Sequence, residues 1–106
     1  MEARRLLAEI RAALEERYGQ RLHRVVLYGS LARGDETPDS DLDLLVVLSD
    51  SAAQTGEMRS AVDAVYPVLQ RHSVFRPLHV VVAARHDYED GGIALYRNVH
   101  REGIAA

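Results

Sequence analysis

The chain has 106 residues, of which 47% are apolar and 27% charged, the composition of one globular domain spanning 1–106 with its own core. It has no cysteine, and all 13 basic residues are arginine, which excludes disulfides, thiolate metal sites, thiolate nucleophiles, a Walker-A phosphate loop and Schiff-base chemistry. Sixteen acidic residues set the net charge at −3, which argues against nucleic acid as the main partner.

Leu6, Leu7, Ile10, Ala13, Leu14 and Tyr18 recur at three- and four-residue steps, so an amphipathic helix is expected over residues 3–18, with Gly19 as its stop. Arg4, Arg5, Arg11 and Arg17 interrupt this stretch, which does not suit a signal peptide. No segment reaches the roughly 20 apolar residues of a membrane span, and a cytoplasmic protein with no membrane partner is expected. Leu22 to Tyr28 reads as a strand ending at Gly29. Ser30 to Arg33 has room for a turn of helix, closed by Gly34, and Thr37-Pro38-Asp39 marks a loop. Asp41 to Leu48 carries the strongest strand pattern. Ser49 to Gly56 reads as a loop, and Met58 to Leu69 as a second long helix that Pro67 should kink or break. Leu78 to Ala83 is a third strand, His86 to Gly92 a polar segment, and Ile93 to Glu102 a last short helix before Gly103. The expected fold is α/β (α+β), a small mixed sheet of three or four strands with helices mainly on one face.

The Asp41–Leu48 strand divides in two. Alternation puts Asp41, Asp43, Leu45 and Val47 on one face and Leu42, Leu44, Val46 and Leu48 on the other. Its second half is apolar on both sides, while its first half sets two carboxylates side by side. Like charges this close repel, and a bound divalent cation would relieve them. Taken alone, Asp-x-Asp is more simply an edge strand with two solvated aspartates. Upstream, however, Gly29-Ser30 leads from a strand onto the start of a short helix. Glycine allows close approach to the backbone, and a helix start presents free N–H groups to an anion. Ser30 can cap that helix or donate to a phosphate oxygen, and Arg33 can clamp a phosphate or sit in solvent.

Gly29-Ser30, ten residues, then Asp41-x-Asp43 resembles the signature of nucleotidyltransferases of the DNA polymerase beta superfamily. The fuller run YGSLARGDETPDSDLDLLVVL, Tyr28 to Leu48, is similar to the minimal nucleotidyltransferases, its single-domain members. The resemblance implies that Gly29, Ser30, Arg33 and Ser40 hold a nucleoside triphosphate, ATP in the first instance. It implies that Asp41 and Asp43 are catalytic and bind Mg²⁺. Two such ions flanking the α-phosphorus would leave the protein the tasks of positioning and charge neutralisation.

Active superfamily members usually carry a third carboxylate on the next strand. Here that strand, Arg76 to Val82, has no Asp or Glu, and His79 falls at the matching position. Three readings stay open: His79 as general base or metal ligand, a partner supplying the group, or a domain that has lost much of its catalysis. A structural hydrogen-bonding histidine is the simpler alternative. The other histidines show no zinc-ligand spacing, and the tyrosines show no base-stacking spacing. The polar helix end Tyr96 to Gly103 reads first as a solvated face; it also resembles the closing segment through which minimal nucleotidyltransferases meet a partner.

The resemblance implies transfer of AMP from ATP to a hydroxyl of a partner protein, in an antitoxin paired with a helical HEPN-type toxin. The alternative is a degenerate binding module that neutralises its partner by contact. Transfer to a small molecule or an RNA 3′ end is a third option. Oligomerisation is left open.

Overall fold

The computed structural model describes residues 3–49 and 54–106. Among these, helix α1 (Ala3–Tyr18) and a 3₁₀ turn (Gly19–Arg21) lead into strand β1 (Leu22–Tyr28), and the one-turn helix α2 (Ser30–Arg33) precedes β2 (Leu42–Leu48). Helix α3 (Gln54–Arg71), β3 (Leu78–Ala84), α4 (Arg85–Asp90), α5 (Ala94–Glu102) and the two-residue β4 (Ile104–Ala105) complete the order. The strands form one mixed sheet in the order β3-β2-β1-β4. β1 runs antiparallel to β2 and β4, and β2 runs parallel to β3.

The apolar character of β2 on both faces follows from its central place. Leu42, Leu44, Val46 and Leu48 join a cluster with Leu6, Ile10 and Leu14 of α1 and Val65, Val68 and Leu69 of α3. Leu45 and Val47 face the other way, against Val26, Ala83, Tyr88 and Val99. The two long helices therefore share one face, and the shorter α4 and α5 cover the other. Each fully buried leucine or valine contributes about 1.5–3 kcal/mol. A bulge at the start of β1 puts two residue steps, from Leu22 to Arg24, opposite the single step from Leu48 to Val47. It lets Leu22, Val25 and Leu27 all join the α1/α3 cluster.

Three expectations are corrected. α3 passes through Pro67 and continues to Arg71. The ring is exposed, and Val65, Val68 and Leu69 anchor the helix on both sides of it. The expected loop ends earlier than Gly56, because Gln54 to Gly56 are helical; residues 50–53 of it lie outside the described residues. Most of the polar segment His86 to Gly92 is helical as α4, with Tyr88 its one buried residue. The sheet's fourth strand is Ile104–Ala105, beyond the last element expected.

This topology gathers one end of the sheet. The finish of β1 meets the start of β2 because they are antiparallel, and the start of β3 lies alongside because β2 and β3 are parallel. Tyr28, Asp43 and His79 thus stand in one row across three strands.

Candidate active site

Gly29 follows directly on β1 with φ 75° and ψ −156°, a backbone conformation that L side chains rarely adopt. A Cβ there would strike the Asp43 carboxylate, with Cγ only 3.3 Å away. The missing side chain therefore brings the Asp43 carboxylate against the turn that opens α2. Asp43 is 20% exposed and packs on the α4/α5 side of the sheet, in line with Leu45 and Val47. Its neighbours on that side are Tyr28 and His79, its register partners on the flanking strands. His79 Nδ1 lies 3.3 Å from Asp43 Oδ1, and the imidazole is 62% exposed. Burial pushes the Tyr28 phenol pKa up, and the Asp43 charge adds to the shift.

α2 is held to one turn by glycines at both ends. Gly29 O accepts from the N–H of Ala32 and Arg33, both at 3.1 Å, and Ser30 O accepts from Gly34 at 2.9 Å and Asp35 at 3.1 Å. Gly34, at φ 82°, closes the turn in the left-handed conformation. The N–H groups of Ser30 and Leu31 have no acceptor inside so short a helix. The capping reading of Ser30 is corrected: Gly29 holds the cap position, and no hydrogen bond occupies the Ser30 hydroxyl among the described residues. That hydroxyl is left available as a donor, one residue on from the glycine that meets the Asp43 carboxylate.

The remaining expected residues are placed differently. Asp41 stands one residue ahead of β2 and is exposed, with no hydrogen bond or ion pair among the described residues. Arg33 is tied to Asp35 at 3.1 Å and to Glu102 at 3.3 Å, and these bonds push its pKa further up. A phosphate would have to draw it from those carboxylates. Ser40 is built into a turn, its Oγ accepting from Thr37 N at 2.9 Å. Arg76 donates to the carbonyls of Thr37 at 2.6 Å and Ser40 at 3.0 Å, and so fixes the loop that delivers Asp41. Arg76 left no signal in the sequence, because its partners are backbone carbonyls 39 and 36 residues away.

The donor chemistry fits a hard divalent cation. Mg²⁺ is commonly held by one or two carboxylates together with substrate phosphates. Asp41 and Asp43 are such carboxylates. Among the described residues no three His, Asp or Glu side chains converge to hold a metal unaided. The arrangement therefore suits an ion whose shell the substrate completes.

Comparison with known proteins gives three findings. A family model described as a nucleotidyltransferase domain matches residues 7–91. A candidate protein adenylyltransferase of Methanocaldococcus jannaschii is 40% identical over 47 residues, 44% of this chain and 47% of that protein, so the match spans about half the relative's length. A crystal structure of a candidate nucleotidyltransferase from Sulfolobus solfataricus aligns over 97% of this chain and 74% of its own, with TM-score 0.49 and 17% identity.

Proposed function

Given that the chain belongs to the nucleotidyltransferase domain family, we propose that it transfers a nucleoside monophosphate, AMP from ATP, to a hydroxyl of a partner protein. The observation that carries this reading is the contact of the Asp43 carboxylate with the glycine turn. The two halves of a triphosphate site, acid and backbone donors, meet at one point. The relative named as a protein adenylyltransferase supports both the nucleotide and the class of acceptor.

The chain's own groups have distinct tasks. The Ser30 hydroxyl and the first N–H groups of α2 bind the outer phosphates. Asp41 and Asp43 would hold Mg²⁺, which when bound neutralises the phosphate charge and lowers the pKa of an acceptor hydroxyl. The Arg76 clamp keeps the Asp41 loop in place. The acceptor oxygen forms a bond to the α-phosphorus and loses its proton. The bond from that phosphorus to the β-phosphate bridging oxygen breaks, and pyrophosphate leaves. In this reading His79 takes the proton, supported by its exposed ring and its Nδ1 3.3 Å from Asp43 Oδ1. The partner is a helical HEPN-type protein, with this chain acting as its antitoxin.

The test uses ATP labelled at the α or the γ phosphate, with Mg²⁺ and the protein encoded by the adjacent gene. Label from the α position alone should appear on the partner, and Asp43→Asn should abolish it. Label from the γ position, or none, contradicts nucleotidyl transfer. A second reading rests on His79, which stands where a third acid is expected. In it the domain neutralises its partner by contact, and Asp41→Ala/Asp43→Ala retains full protection. Loss of protection with binding retained rejects that reading.

A further inference from the structure

A cavity of about 410 Å³ opens on the α4/α5 face beside the start of β1. The candidate active site stands at the other end of that strand: Tyr28 is roughly 16 Å from His23 along the extended chain and roughly 7 Å from Val26. Val26, Tyr88 and Val99 line the cavity and are buried. His23, Arg24 and Arg85 also line it, and Glu89 is the one acid among its lining residues. Arg85 Nε donates to Glu89 Oε1 at 2.5 Å, and His23 Nε2 lies 3.5 Å from the same oxygen. One carboxylate oxygen thus holds the guanidinium and the imidazole within about 6 Å of each other. Arg24 makes no hydrogen bond or ion pair among the described residues. It lies on the same face of β1 as Val26, two residues away. An arginine with no direct partner, whose charge is felt by Glu89, therefore adjoins an arginine and a histidine in a chain whose net charge is −3. The local field is felt by His23, whose pKa is lowered first by burial and then by Arg85 and Arg24.

We propose that this cavity is a second ligand site, which takes a small soluble phosphate compound with its phosphate between Arg24 and Arg85 and its organic part on Val26 and Val99. Pockets for small ligands typically have a few hundred Å³, an apolar floor and a few convergent polar groups. Two guanidinium groups and an imidazole N–H offer more donors than a carboxylate can accept, and they suit the several oxygens of a phosphate. Glu89 already bonds Arg85, and Arg24, whose charge it also feels, keeps no hydrogen-bond partner of its own among the described residues. The site is independent of the nucleotide site, and nothing in the transfer chemistry requires it.

The test titrates inorganic phosphate and pyrophosphate into the ¹⁵N-labelled protein, with sodium chloride at matched ionic strength as reference. Saturable NMR shifts are expected at His23, Arg24 and Arg85. Arg24→Gln and Arg85→Gln should each weaken binding about tenfold or more, and Asp43→Asn should leave it unchanged. Gly29 and Ser30 signals report the nucleotide site separately, so either site can fail alone. Shifts that do not saturate, that sodium chloride reproduces, or that survive Arg24→Gln overturn the proposal. So does tighter binding of a short single-stranded oligonucleotide than of pyrophosphate, which would assign the arginines to a nucleic-acid backbone.

Discussion

Gly29 shows how one absent side chain positions chemistry. Its positive φ and its contact with Asp43 are separate demands, and alanine violates both. Gly29→Ala should therefore destabilise the fold by about 1–3 kcal/mol, measured as a lower urea midpoint. Nucleotide binding should fall as well, because Asp43 must move away. Unchanged stability would show that the turn accepts a Cβ. His23 gives a pH signature. Its pKa is lowered in the folded protein from the ordinary value near 6.5, chiefly by burial and then by Arg85 and Arg24. The unfolded chain binds the proton more readily, so stability rises with pH through this window. The cost is absent above about pH 6.5 and grows as pH falls toward the lowered folded pKa. His23→Gln should flatten that part of a Tm-against-pH curve. An equal slope in the variant would assign it to other groups. The pairing of Gly29-Ser30 with Asp43 was legible because each residue type has one main physical use there. The engagement of Arg33 by Glu102, 69 residues away, was not, because surface ion pairs leave no local pattern.

At the scale of elements, legibility followed periodicity. α1, β1 and α2 were readable residue for residue, since their apolar spacing and bounding glycines agree. α4 was not, because six residues with one buried side chain carry no period. β4 was not, because two residues are too few to show alternation. Pro67 shows packing outweighing propensity. It denies α3 one backbone hydrogen bond near its C-terminal end, yet Val68 and Leu69 beyond it are buried and hold the helix to the sheet. Pro67 is exposed, so Pro67→Ala should restore that bond without touching the core. A gain of about 1–3 kcal/mol is expected, read as a higher Tm. No gain would mean that the bond is already replaced by another contact.

For the whole molecule, the strand order sets where chemistry can occur. A central β2 sandwiched between helices must be apolar, and only its first turn of sequence, where the row Tyr28–Asp43–His79 reaches the sheet end, is free to carry charge. Alternation alone placed Asp43 on the face of Leu45 and Val47. The identity of that face, covered by the thin α4/α5 layer and not by α1 and α3, needed the structure. No helix among the described residues is long and apolar enough to cross a membrane. The most direct measurement is calorimetric titration of ATP into the protein with and without Mg²⁺, repeated with Asp41→Asn and Asp43→Asn. Saturable binding that requires Mg²⁺ and weakens by on the order of a hundredfold in Asp43→Asn is predicted. Binding that is indifferent to both the ion and Asp43, or no binding at all, would contradict the assignment of a nucleotide site to this end of the sheet.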